Sequence, residues 1–304
     1  MVKQADTQND IMVFDRARIC QNRLRASKGF SDFDFLFKWS RNILSDRLYD
    51  INRQFPMALH IGSRGGISAQ EHDKIDWLSH MDLTPHPVQT MDSPYIQADE
   101  EFLPIAQKSL HLVLSNLSLH SVNDLPGALL QIRQSLKEDG LFLASMLGGE
   151  TLHELRRAMM DIEMELYGGV SPRVAPFADK PQMGDLLQRA GFTLPVVDSE
   201  IVTVTYDNVF KLFKDLRGMG EGNAILQRNK QPLSKAFFMR LAEHYHNLYA
   251  EKDGRIVASF EVIFLLGWSP HSSQQKPLRP GSAEHSLAEA LGATEIKTGE
   301  RSAP

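Results

Sequence analysis

The 304-residue chain has one cysteine, Cys20. That excludes an intrachain disulfide framework and any zinc site built from several thiolates, and it fits a reducing compartment. No apolar run approaches the ~20 residues that a membrane-spanning helix needs, and the opening MVKQADTQND lacks the apolar stretch of a signal peptide. The sequence therefore predicts a cytoplasmic protein. Positive charge is in short supply as well. The 33 Lys plus Arg face 38 Asp plus Glu, and the net charge of -5 removes the long-range attraction to phosphate on which nucleic-acid binding rests. Nucleic acid drops out as a principal partner.

What is present is ordinary globular composition, with 42% hydrophobic and 23% charged residues, enough for one large α/β core or two smaller ones. One local exception is RARICQNRLRASKG, where Arg16, Arg18, Arg23, Arg25 and Lys28 occur without an acid. A solvated helix face is the plain reading of such a run. Docking on a partner or peripheral contact with an anionic membrane surface is the alternative.

After a helical lead-in to about residue 55, strand and helix patterns alternate. FPMALHIG, DWLSHMDL, LHLVLSNLSL and GLFLASML are short apolar runs of the kind that form buried parallel strands. Between the last two, NDLPGALLQIRQSLKEDG reads as a helix, with Asn123 or Asp124 as N-cap, Pro126 in its first turn and Gly140 beyond its end. Strand, capped helix and strand make a βαβ unit. Residues 150–191 read as a helical insertion over one end of the sheet. SEIVTVTY and RIVASFEVIFLLGW are β-rich and suit a terminal antiparallel pair, and RIVASFEVIFLLGW is the longest strand candidate. The expected organisation is thus a helical lead-in over 1–55, an α/β domain over 56–268 and a loose tail over 269–304.

Ligands of open parallel sheets bind beyond the carboxyl ends of the strands, so chemistry is sought there. HIGSRGGIS places Gly62, Gly65 and Gly66 in a turn between strand and helix, where backbone N–H groups can approach a ligand. Asp82 closes the second strand and can accept bonds from ribose hydroxyls, or cap the next helix. Asp99, Glu100 and Glu101 precede an apolar anchor, where a carboxylate can accept from an adenine amino group or form a solvated turn. Ser115, Asn116, His120, Asn123 and Asp124 cluster at and beyond the end of the strongest strand.

The ordered set ADEEFLP, LSLHSVNDLPGALLQI, LKEDGLF, GGETLHELR, RAGF, DLRGMGEGNA and LLGW resembles the methyltransferase-fold assembly factors of respiratory NADH dehydrogenase and their alphaproteobacterial class I S-adenosylmethionine (SAM) methyltransferase relatives. The resemblance runs from VFDRAR to Trp268. The eukaryotic member of that family is a protein arginine hydroxylase, and a more distant similarity extends to the malonyl-carrier-protein O-methyltransferases of biotin synthesis. The resemblance implies a seven-stranded Rossmann-like sheet with a reversed last hairpin, and a SAM site over Gly62, Gly65, Gly66, Asp82, Asp99, Glu100 and Ser115. It also implies a protein substrate, such as a subunit of the respiratory NADH dehydrogenase, modified by methylation or hydroxylation. The alternative is an assembly chaperone without catalysis.

His120 is the candidate base or orienting group, and helix capping or core bonding is its ordinary role. Glu150 and Glu221, with Asn123 and Asp124, are the candidates for binding the substrate, the two glutamates through charge-assisted bonds to an arginine. A malonyl substrate would instead call for Arg156 or Arg173. No metal is expected, since the HxD pair His80 and Asp82 lacks a defensible third ligand.

Two key positions depart from the family's first motif, which runs approximately D-L-G-C-G-R-G. His60 stands where that motif has its acid, and Arg64 stands at its middle glycine, where a side chain meets the cofactor and a cation faces a sulfonium. Ser121 replaces the usual aromatic after the histidine.

Overall fold

The computed structural model describes residues 12–64, 73–85, 93–275 and 291–294. It has two compact units, residues 1–270 and 271–304. The second contributes little described structure, and residues 286–290 of the short helical pattern SLAEALG lie outside the described residues.

In the first unit, α1 (Arg16–Ala26) and α2 (Phe35–Asp50) precede β1 (Ala58–Ile61), β2 (Leu78–Asp82), β3 (Tyr95–Gln97) and β4 (Leu110–Asn116). Then come α3 (Leu125–Ser135), β5 (Leu136–Leu147), α4 (His153–Tyr167), α5 (Lys180–Arg189), β6 (Thr193–Tyr206), α6 (Val209–Gly218), α7 (Lys235–Tyr249) and β7 (Ile256–Trp268). The seven strands form one sheet in the order β3-β2-β1-β4-β5-β7-β6. The pairs from β3 through β5 are parallel, and β7 runs antiparallel to both β5 and β6. Connections reverse direction between β1 and β4, so the crevice beyond the ends of those two strands is where this architecture places a ligand.

Both faces of the sheet are covered, which explains why β1, β4 and β5 read as near-continuous apolar runs rather than alternating ones. Leu44 and Leu48 of α2, Leu155 of α4 and Leu241 of α7 pack on one face, and Leu129 of α3 with Leu187 of α5 on the other. Each such buried side chain contributes about 1.5–3 kcal/mol. β6 is one of the two edge strands and is half exposed along most of its length.

The structure corrects two sequence expectations. α3 starts where its Asp124 cap accepts from the Gly127 N–H, but it ends at Ser135 rather than near Gly140. Leu136 has turned extended and pairs with Leu110, because the β4–β5 ladder claims its backbone. The longest strand is β6, with 14 residues against 13 in β7.

Candidate functional site at the ends of β1 and β4

The basic run is not uniformly solvated. Arg25 and Lys28 are exposed, but Arg23 is buried and Arg16 nearly so. Arg16 and Arg23 are seven residues apart, two turns of one helix face, and Ile19 shares that face. Ile19 and Phe14 pack with Ala224 in a small core of their own. Phe14 pairs with Ile225 across an isolated bridge. Asn123 fixes the same segment, its Oδ1 accepting the N–H groups of Val13 and Phe14 at 2.9 and 2.7 Å. α1 is thereby held over the crevice with two arginines pointing in. The signal was in the sequence: a seven-residue arginine spacing upstream of an acidic run, ADEEFLP, that had no cation of its own.

Those arginines bind the carboxylates proposed for a nucleoside. Asp82 accepts Thr84 N–H and O–H at 2.9 and 2.8 Å through one oxygen, and Arg23 approaches the other at 3.3 Å. Asp99 receives both Arg16 Nε and Nη2, at 3.1 and 2.6 Å. Glu100 is fully buried and accepts Arg23 at 2.8 Å, Ser118 Oγ at 2.7 Å, and Arg16. Burial alone would raise the Glu100 carboxyl above its usual range, but Arg23 and Arg16 outweigh it and hold the group well below. Arg23 is correspondingly locked in its charged form, because Glu100 and Asp82 overcome the cost of burying it.

Gly62 sits at φ +68° and closes the gap between the two strands, since a Cβ there would lie 2.1 Å from Ser118 Cβ. Gly65 and Gly66 lie outside the described residues. Ser115 is fully buried inside β4, paired with Ile61 and Ala144, and does not line the cavity described below. His60 is fully buried beside His80, with ring centroids 5.6 Å apart and no hydrogen-bond partner for either His60 nitrogen among the described residues. Desolvation and then His80 push its pKa down to about 3, so it is neutral at pH 7. Among the described residues no three His, Cys, Asp or Glu side chains converge as metal ligands.

Arg64 crosses from the β1 loop to the far wall. Its Nη1 donates to Met219 O at 2.9 Å, and its Nη2 to Leu117 O and Glu221 Oε1, both at 2.9 Å. Its guanidinium carbon stands 4.7 Å from the Phe37 ring centroid. The other Glu221 oxygen accepts from His120 Nε2 at 3.1 Å. With Nε2 engaged by that carboxylate, His120 Nδ1 is left buried without a hydrogen-bond partner among the described residues. Burial would raise the Glu221 carboxyl, but Arg64 and His120 bring it well below its usual range.

Past these residues opens a cavity of about 300 Å³ beyond the ends of β4 and β5. Its walls are mostly apolar, including Leu147, Leu155, Phe177 and Phe213, and its polar groups include His120, Ser121, Arg173 and Glu221. That size is the lower end of the small-molecule range. The structure thus brings His120 and Glu221 together. It leaves Glu150 on the surface, with its N–H bonded to Glu261, and uses Asp124 as a cap and Asn123 as an anchor. Arg173 pairs with Glu163 at 2.6 Å, and Arg156 is spread over backbone carbonyls, including that of Thr151 at 3.2 Å.

A seven-stranded sheet of this order, with an inserted antiparallel β7 and a cavity beyond the β4 and β5 ends, defines a class I methyltransferase-fold protein. The methyltransferase-domain family model matches residues 7–195. The mitochondrial arginine-hydroxylase NDUFAF5 of Danio rerio is 39% identical over 286 residues, 91% of this chain and 89% of the relative. That of Homo sapiens is 40% identical over 264 residues, 84% and 76% of the respective chains. The chain belongs to the methyltransferase-domain family and, within it, to the NDUFAF5 group. The malonyl-[acyl-carrier protein] O-methyltransferase of Gallionella capsiferriformans is a more distant relative, 38% identical over 57% of each chain. Among solved structures, the YcgJ protein of Bacillus subtilis superposes with a TM-score of 0.53 at 13% identity, covering 76% of this chain and 99% of its own, a likeness of fold.

The described residues do not fit SAM as they stand. The carboxylates suited to its ribose and adenine, Asp82 and Asp99, are bonded to Arg23 and Arg16. Gly62 is packed on Ser118, and Arg64 lies where a glycine would leave room. Admitting a sulfonium cation would mean displacing guanidinium groups that balance buried carboxylates, at a cost of several kcal/mol.

Proposed function

We propose that this protein is an assembly factor for the respiratory NADH dehydrogenase that engages an arginine-bearing segment of a subunit at the cavity beyond β4 and β5. In this reading the cofactor crevice is closed by the chain's own Arg16, Arg23 and Arg64. The relatives' arginine specificity and the Glu221 carboxylate on the cavity wall support the substrate class. The observation that carries the closed crevice is the pairing of Arg16 and Arg23 with Asp82, Asp99 and Glu100. His120 orients the incoming group, its free Nδ1 accepting an N–H. No helix among the described residues is long and apolar enough to cross a membrane. We place the protein in the cytoplasm, with exposed Arg25 and Lys28 available to an anionic membrane surface.

SAM-dependent modification of the bound side chain is the second reading, favoured by the family match. Calorimetric titration with SAM and its demethylated product separates the two. Dissociation constants weaker than about 1 mM, some −4 kcal/mol, support the closed crevice, whereas micromolar binding, about −8 kcal/mol, sinks it. The assembly role is tested by deleting the gene and following assembled NADH dehydrogenase on native gels. Undiminished assembly would end that reading.

A further inference from the structure

Resting on the reading that an arginine-bearing segment is engaged, we infer that Phe37, Leu117 O, Met219 O and the Glu221 carboxylate form a guanidinium receptor. Arg64 fills it from within the chain, and an arginine side chain of a partner binds by displacing Arg64.

The receptor has the parts that guanidinium recognition requires. Two carbonyls and a carboxylate oxygen each lie 2.9 Å from an Arg64 nitrogen, and the Phe37 ring stands over the guanidinium carbon with its centroid at 4.7 Å. A planar fork of five donors matches such a set, whereas an ammonium does not. Glu221 is held in place from its other side by His120, so its Oε1 is oriented whether or not Arg64 is present.

The direction of approach sets Arg64 apart as a stand-in. Phe37, Leu117, Met219 and Glu221 all line the cavity, while Arg64 does not. Arg64 reaches the acceptors from the β1 loop, behind the wall. A side chain entering through the cavity meets the same acceptors from the front, and the apolar walls suit its aliphatic stem. Arg64 is also an imperfect occupant. Its Nε is buried without a partner among the described residues, a donor left unsatisfied at the cost of its hydration. Burial and the neighbouring Arg23 both disfavour its charge. An incoming arginine that pairs its own Nε therefore competes with an occupant already carrying a penalty.

The test titrates the full-length Arg64→Ala protein and the native protein with N-acetyl-arginine amide, using the citrulline and lysine amides as controls. The receptor predicts at least tenfold tighter arginine binding by Arg64→Ala than by the native chain, little binding of citrulline or lysine, and loss of the gain when Glu221→Gln is added. Equal affinities in the native and variant proteins, equal binding of citrulline, or a gain that survives Glu221→Gln would overturn it. Should Arg64→Ala not fold, Arg64→Gln keeps the bulk without the charge and takes its place. Failure of both to fold would show a structural strut rather than a displaceable occupant. Arginine binding by the variant with undamaged assembly in the deletion strain would remove the assembly reading alone. The reverse pattern would remove the receptor alone.

Discussion

Glu100→Gln is expected to destabilise the protein by about 3 kcal/mol at pH 7, the lower end of the cost of breaking a buried ion pair. Glu100 is 0% exposed and its carboxylate meets Arg16, Arg23 and Ser118. Gln keeps the shape but removes the charge. Arg23 retains Asp82 and Arg16 retains Asp99, which keeps the loss from the upper end. At 2–4 °C per kcal/mol for a domain of this size, the melting temperature falls by roughly 6–12 °C. The pH dependence gives a second check. Because the folded carboxyl is held below its unfolded value of 4.5, its stabilisation is complete above that value and declines as pH falls. Roughly 1 kcal/mol of the difference between native and variant is therefore gone by pH 4. Urea titration followed by tryptophan fluorescence at pH 7 and pH 4 measures both quantities. Arg23→Met combined with Glu100→Leu should lose at least ~1 kcal/mol less than the sum of the two single changes. A Glu100→Gln cost under about 1 kcal/mol, or strict additivity in the pair, would refute the buried network.

Three further outcomes follow from the same geometry. His60, with its pKa lowered to about 3, is neutral when folded, so the native protein should lose about 2 kcal/mol between pH 6.5 and 5 on this residue's account. His60→Leu should flatten that slope in urea titrations without lowering stability at pH 7, and an unchanged slope would assign the effect elsewhere. Gly62→Ala meets Ser118 at 2.1 Å with φ at +68°, so a loss of about 2–4 kcal/mol is expected in the same assay. A neutral result would mean that β1 and β4 are not packed together at their ends. Asn123→Ala removes the acceptor for the Val13 and Phe14 N–H groups, a cost of about 1–3 kcal/mol, and should speed tryptic cleavage within α1. Cleavage at the native rate would show that α1 is held elsewhere.

The strands were legible because parallel strands buried on both faces leave unbroken apolar runs, as in LHLVLSN. β3 was not, since three half-exposed or exposed residues carry no periodicity. Asp82 and His120 drew notice because they lie at or beyond strand ends, where the topology concentrates chemistry, and Asp99 because it precedes an apolar anchor. What escaped was pairing at long range. Arg16 meets Glu100 across 84 positions and Arg64 meets Glu221 across 157, and a charge pattern read locally cannot show which cation turns inward. Glu150 looked equivalent to Glu221 as an acid beside glycines. Only the fold separates them, one on the surface and the other on the cavity wall.

The sheet order also has a bearing on biosynthesis. β7 ends at Trp268 yet lies between β5 and β6, so it must enter the middle of the sheet after everything beside it has left the ribosome. Until then β5 carries an open apolar edge, and β6 has no neighbour. Nascent chains halted before residue 256 expose a template for edge-to-edge association. Closure waits on contacts such as Leu141 with Trp268, separated by most of the latter half of the chain, and pairing across such a long sequence separation makes the last step of sheet formation slow.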